Sequence, residues 1–362
     1  MSKTSADWLL LALTPGIGPA GLLKLIARFG EAEQAVAAST SQTSPLIGQE
    51  AATALRDRVA AAAVTAAQEW AEQEECSLIS LQDDDYPQAL AETASPPPLL
   101  FARGRRELLQ QPLLAIVGSR SATPAGRQIA EQFARQLSEH GYTIVSGLAS
   151  GIDAAAHRGA LQADGSTIAV IGTGIDRVYP ASNRPLAHQI GSAGLILSEF
   201  PLGSGPLAGH FPRRNRIIAG LTRACLVVEA DVHSGSLITA RLAAECGREV
   251  MAVPGSIHSP QSRGCHRLLK EGARLIDSVE DILDEVGRLT TAVSLTAPAS
   301  ATVEKNGEQQ RILEQIGFDP VSSEALATQL GLTQGELYAM LLELELDGKL
   351  GRLPCGRFQR LV

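Results

Sequence analysis

Four short segments put Gly and Ser where a polypeptide most readily receives an anion. They are Gly118-Ser119-Arg120, Ser146-Gly147-Leu148-Ala149-Ser150-Gly151, Gly172-Thr173-Gly174 and His233-Ser234-Gly235-Ser236. Glycine lets the backbone approach a phosphate closely, serine adds a hydroxyl, and a helix that follows offers unpaired N–H groups. One such loop is a weak signal, because a turn needs glycine merely to reverse the chain. Four of them, each after an apolar run, point to an anion site. The first turn lacks the Gly-x-Gly-x-x-Gly spacing and no Walker lysine follows any loop, so dinucleotide and nucleoside-triphosphate binding lose their usual signatures.

The densest cation cluster is Arg213, Arg214 and Arg216, with Asn215 between them. Pro212 suits a helix start, which sets the arginines near a helix N-terminus, where the dipole disfavours cations and an external anion would relieve them. Ion pairing to Glu199, Glu229 or Asp231 is the alternative. Catalytic constellations are thin. Asp153 and His157 share a helix face at i, i+4 spacing, but no Ser or Cys is poised beside them as a nucleophile. A helix-opening Asp and a locally bonded His account for both. His258, Cys265 and His266 lack zinc spacing and a fourth ligand, so no metal is expected.

These residues need a frame. Leu114–Val117, Tyr142–Val145, Thr167–Ile171, Leu195–Phe200, Cys225–Glu229, Glu249–Val253 and Ala273–Ile276 are continuous apolar runs separated by helix-length amphipathic stretches. Runs of this kind mean strands covered on both faces, hence an α/β fold with a doubly wound, mostly parallel sheet. Its ligands belong beyond the carboxyl ends of the strands, where the four loops lie. Residues 1–75 read as helical, with one long helix from Ala51 to Glu75. Pro15-Gly16-Ile17-Gly18-Pro19 within them is close to the turn of a helix-hairpin-helix. Residues 76–288 hold the sheet, and the uncharged stretch 289–303 is a linker. Residues 304–362 give three helical patterns and a hairpin around Pro354-Cys355-Gly356, the outline of a winged helix.

The chain of 362 residues is 44% hydrophobic and carries a net charge of −8, which argues against a generally basic coat for nucleic acid. The charge is segregated. Residues 112–276 balance at +5, and all but one of their cations are arginine, whose planar fork suits phosphate. In the winged helix, Thr333 to Asp347 carries four acids and no cation, so a duplex would repel it. The hairpin carries Lys349, Arg352, Arg357 and Arg360 and no acid. On that contrast the winged helix is expected to contribute less than about tenfold to single-strand affinity. Five scattered cysteines, no Cys-x-x-Cys, and no apolar run of membrane-spanning length predict a cytoplasmic chain without membrane attachment.

From Tyr86-Pro87 to Asp277 the motifs together resemble the DprA (Smf) family of natural transformation. They include Ala115-Ile116-Val117-Gly118-Ser119-Arg120, Gly151-Ile152-Asp153, Tyr179-Pro180-x-x-Asn183, Ser198-Glu199-Phe200-Pro201 and Ser234-Gly235-Ser236-Leu237. The resemblance implies an extended Rossmann-like domain between a sterile-alpha-motif-like helical domain and a winged helix. It also implies a homodimer without enzymatic activity or cofactor, which binds and protects single-stranded DNA and loads RecA onto it during recombination. Arg120 matches the family's Gly-Ser-Arg turn. Where several members have a lysine after Tyr-Pro, this chain has Ala181-Ser182, with Arg184 as the substitute. The single-strand site is then expected at Gly118, Ser119, Arg120, Ser146, Gly147, Ser150, Gly151, Gly172, Gly174, Arg184, Arg213, Arg214, Asn215, Arg216, Ser234, Gly235 and Ser236. Tyr179, Phe200 and Phe211 are expected in the core rather than under bases. Two other readings are a nucleotide hydrolase of the lysine-decarboxylase-like type, whose loop glutamate is missing after Ser234, and an adaptor with an inert sheet.

Overall fold

A computed structural model describes residues 4–163, 167–287, 312–313, 316, 321–330, 332–353 and 356–361. Six helices come first: α1 (Ala6–Leu13), α2 (Pro19–Phe29), α3 (Ala32–Ala37), α4 (Thr40–Ile47), α5 (Gln49–Arg56) and α6 (Ala61–Ala71). Ser5 caps α1 by accepting from Trp8 N at 3.1 Å, and Pro19 opens α2. The helix expected over Ala51 to Glu75 is two helices. Val59 N reaches back to Ala54 O, Arg58 takes φ +48°, and Ala51 packs against the Gly16 turn, so tertiary contacts outweigh the helical preference of the alanines. Trp8 donates to Pro98 O at 2.9 Å, and Trp70 lies edge-on to Phe101 at 5.5 Å. Those two contacts seat the helices on the sheet.

The sheet domain runs β1 (Cys76–Ser80), α7 (Gln88–Ala91), β2 (Leu99–Gly104), β3 (Leu113–Val117), α8 (Pro124–Glu139), β4 (Thr143–Ser146), α9 (Ile152–Gln162) and β5 (Thr167–Val170). It continues through α10 (Arg184–Ala193), β6 (Leu195–Ser198), α11 (His210–Leu221), β7 (Ala224–Val227), α12 (Ser236–Glu245), β8 (Glu249–Ala252), α13 (Arg263–Lys270), β9 (Arg274–Leu275) and α14 (Val279–Val286). The nine strands lie in the order β1-β2-β6-β5-β4-β3-β7-β8-β9. β1 and β2 are antiparallel additions at one edge, and β3 to β9 are parallel. Leu114 and Ile116 face one layer of helices while Leu113, Ala115 and Val117 face the other, and all five are buried. The chain builds outward from β3 to β6, then returns across β3 to β7. That reversal makes the gap between the ends of β3 and β7 a topological switch point, the place where open α/β sheets form a crevice.

The last described elements are β10 (Val321–Ser322), α15 (Ser323–Leu330), α16 (Gln334–Leu346), β11 (Leu350–Leu353) and β12 (Arg357–Arg360), with the strands ordered β10-β12-β11. Leu326, Leu337, Leu341, Leu344, Leu350 and Phe358 close their core. Thr333 and Glu336 form a capping box on α16. The expected linker, 289–303, lies outside the described residues, as does most of the expected helix from Glu308 to Ile316. Among the described residues no helix is long and apolar enough to cross a membrane.

Candidate nucleic-acid interface

At the switch point lies a cavity of about 680 Å³ walled by the turn after β3, the start of α11 and the loop into α12. Its first wall depends on glycine. A Cβ on Gly118 would sit 2.6 Å from Ile152 Cγ1 and 2.8 Å from Glu229 O, so only glycine lets β3 end between α9 and β7. Ser119 is pinned, its N–H donating to Glu229 O at 2.6 Å and its Oγ accepting from Ser121 N at 3.1 Å. Arg120 therefore points out. It is exposed, has no carboxylate within ion-pairing distance among the described residues, and holds its guanidinium 5.4 Å from the Phe211 ring centroid. Behind it Thr123 caps α8, and its N–H and Oγ1 both donate to Glu229, at 2.8 and 2.6 Å.

Arg214 reaches the cavity from below and is only 4% exposed. Its Nη1 donates to Val170 O at 2.6 Å, and its Nε has no partner. Burial pushes its pKa down to about 10 against the pull of Asp153. Asp153 accepts from Gly147 N at 3.1 Å and Ala149 N at 3.4 Å, which fixes the loop after β4. Burial raises the Asp153 pKa, with Arg214 and the two backbone bonds opposing. Leu148 takes φ +57° within this loop and is buried. Gly151, at φ +81°, brings the start of α9 so close to the first turn that a Cβ would sit 2.2 Å from Ser119 O.

Asp153 and His157 do not form a dyad. His157 is fully buried, with Nδ1 2.7 Å from Thr167 Oγ1, and that hydroxyl donates to Ile144 O at 2.9 Å. The hydroxyl proton is therefore used, and the imidazole Nδ1–H must be the donor to it. Burial, assisted by Arg214 and Arg158, holds the His157 pKa at about 3, so the ring is neutral. Among the described residues no group of three or more His, Cys, Asp or Glu could hold a metal.

The arginine cluster splits between an ion pair and the cavity. Arg216 donates to Glu199 and to Ser95 O and faces the α7 side of the sheet. Arg213 pairs with the same carboxylate at 3.0 Å and lies over Phe200, half exposed. The Glu199 side chain is 2% exposed, so both cations serve a buried charge. Asn215 lines the cavity and donates to Gly235 O at 3.4 Å. Ser234, Gly235 and Ser236 form the far wall, with the two hydroxyls 2.7 Å apart and Asp231 accepting from His233 N.

Other expected site residues support the cavity from outside it. Ser146 is fully buried and donates to Ile116 O at 2.7 Å. Gly147 backs onto Arg214, and neither Ser150 nor Gly151 lines the cavity. Gly172 packs on the Phe211 ring, and a Cβ on Gly174 would meet Pro201 O at 2.7 Å. Arg184 lines a second cavity of about 810 Å³ together with Arg103, Arg177 and His188. Tyr179, expected in the core, is 48% exposed on the rim of this second cavity. Its ring lies 5.6 Å from that of Phe211, which is half-buried, so an aromatic pair stands between the two cavities. Phe200 is buried, as expected, and stacks on His210 at 4.0 Å. No sequence signal places Arg120 and Tyr179 on either side of one ring, that of Phe211.

Comparison with known proteins gives the same frame. The family profile described as DNA recombination-mediator protein A matches residues 77–287, and that of the DprA winged helix domain matches residues 296–356. Protein Smf of Synechocystis sp. is 38% identical over 80% of this chain and 81% of its own length. The X-ray structure of DNA processing protein A from Streptococcus pneumoniae superposes with a TM-score of 0.70 at 40% identity, covering 79% of this chain and 99% of that one. A structure of DNA processing protein A from Helicobacter pylori, described for its single-stranded DNA binding mode, gives 0.54 at 32% identity, covering 58% and 95%. With its central domain and its winged helix both matched, the chain belongs to the DNA recombination-mediator protein A family, the DprA and Smf proteins.

Proposed function

We propose that this protein binds single-stranded DNA at the switch-point cavity, without chemistry of its own, and protects the strand and presents it to the RecA recombinase. It does so in the cytoplasm as a homodimer joined through the sheet domain. The observation that carries the reading is Arg120, exposed and without an ion-pair partner among the described residues, over the Phe211 ring at the mouth of the cavity. Phosphate goes to the guanidinium and the glycine-lined turns, and bases stack on the exposed Tyr179 beside the half-buried Phe211. The relative from Helicobacter pylori, described as a single-stranded DNA binder, supports the ligand class. A nucleotide hydrolase is disfavoured because Asp153 and His157 are both buried on structural partners, and the four residues that follow Ser236 include no acid.

The test is a comparison of ligands and products. The full chain should bind oligo-dT in preference to a duplex of equal length and should speed RecA nucleation on that strand. It should release no base, phosphate or shortened strand in multiple-turnover conditions, with or without divalent metal. Turnover of a nucleoside monophosphate, or duplex preference, would defeat the proposal.

A further inference from the structure

A second basic groove, of about 640 Å³, lies beside the switch-point cavity and takes its walls from two domains. One wall is the segment Ser121 to Arg127, which carries the chain from the Arg120 turn into α8. The floor is the loop Ser256 to Gln261. The opposite wall is the winged-helix hairpin, which contributes Arg352, Leu353 and Arg357. The hairpin is seated closely, since a Cβ on Gly351 would lie 2.6 Å from Pro124 Cβ. Hence the basic wing meets the sheet domain, while the acidic α16 leaves Tyr338, Leu342 and Leu346 exposed.

Three features mark the groove as a place for a polyanion. Arg127, Arg352 and Arg357 are all exposed and His258 adds a fourth basic side chain. No carboxylate is among the described residues that line it, and none of the three arginines forms an ion pair among the described residues. Ser121 and Gln261 line both this groove and the switch-point cavity, so the two adjoin. Like charges are held together here across a domain boundary, which costs energy that a bound anion would offset.

We infer that the groove between the hairpin and α8 is an extension of the single-strand track, in which Arg127, Arg352 and Arg357 contact successive backbone phosphates beyond those at Arg120. The inference rests on the proposed single-strand reading. It also replaces the expectation that the winged helix adds little to affinity, because the hairpin rather than α16 faces the strand.

The test uses full-length protein, fluorescence anisotropy and two oligo-dT lengths, one of about 5 nucleotides that fills only the central cavity and one of about 16 that reaches the groove. The double variant Arg352→Gln/Arg357→Gln should bind the long strand at least tenfold more weakly, with a salt slope shallower by about 1.4 for two lost phosphates. It should bind the short strand as wild type does. Arg127→Gln, on the opposite wall, should show the same length-selective loss. Equal loss on both lengths, no loss on either, loss confined to duplex, or a response from only one wall overturns the inference. Arg120→Ala should weaken both lengths, so a normal response there with an indifferent hairpin variant sinks the groove alone. A wild type that binds neither strand sinks the single-strand reading with it.

Discussion

Replacing Gly147 by alanine adds one methyl group at the most crowded point of the site. The new Cβ would lie 1.8 Å from Arg214 Nη1 and 2.5 Å from its Cζ, so the guanidinium must move. It has little room, being 4% exposed and held to Val170 O at 2.6 Å. Forced repacking of a filled interior costs about 1–3 kcal/mol. Losing a hydrogen bond from a charged donor costs about 1.5–3 kcal/mol, and the two effects overlap in a single displacement. We expect Gly147→Ala to destabilise the sheet domain by about 3 kcal/mol, a melting shift of roughly 6–12 °C for a domain of this size. Scanning calorimetry and urea unfolding of the full chain would measure it. The mechanism makes a sharper demand on the double variant. With Arg214→Met the obstruction shortens and the charge is gone, so the alanine should then cost under about 1 kcal/mol. Additive effects, or a single-variant cost below about 0.5 kcal/mol, would show that Arg214 is not what Gly147 accommodates.

Asp153→Asn weakens the acceptor for Gly147 N and Ala149 N, and should cost about 1–2 kcal/mol in urea unfolding with only an indirect fall in single-strand affinity. Loss of binding at full stability would instead give Asp153 a direct role. His157 is held at a pKa of about 3 against an ordinary 6.5, so its contribution is present above pH 6.5 and fades as pH falls toward 3. By pH 4.5 about 3 kcal/mol should be lost relative to neutral pH, an increment absent from His157→Gln; parallel pH profiles for the two proteins would contradict this. Glu199→Gln leaves the largely buried Arg216 without its counter-charge and should cost about 3–5 kcal/mol, read by urea unfolding; a neutral outcome would mean that water already compensates Arg216.

The sheet was legible because its strands are continuous apolar runs, and the Gly118-Ser119-Arg120 turn was legible because small residues end one of them. The strand order was not. Which loops share a crevice depends on β7 pairing beside β3, and nothing local to either strand encodes that neighbour. The arginine cluster misled for a related reason. Arg213, Arg214 and Arg216 are close in sequence, yet each helical residue turns about 100°, which sends Arg214 into the interior while Arg213 and Arg216, three apart on one face, both reach Glu199. Tyr179 sits in a loop, where no periodicity assigns a face, so its exposure could not be read. The break between α5 and α6 was hidden by alanines that favour helix throughout, and Arg58 at positive φ leaves no trace in composition.

The central claim is that Arg120 at the switch point holds a strand by its phosphates, and a salt series with oligo-dT tests it most directly. Wild-type protein titrated by anisotropy between about 50 and 200 mM salt should show log K falling linearly with log salt, by about 0.7 for each phosphate engaged. Arg120→Ala, with its side chain in solvent, should keep the wild-type melting temperature, bind at least tenfold more weakly and give a slope shallower by about 0.7. An Arg120→Ala protein with unchanged affinity and unchanged slope would contradict the account.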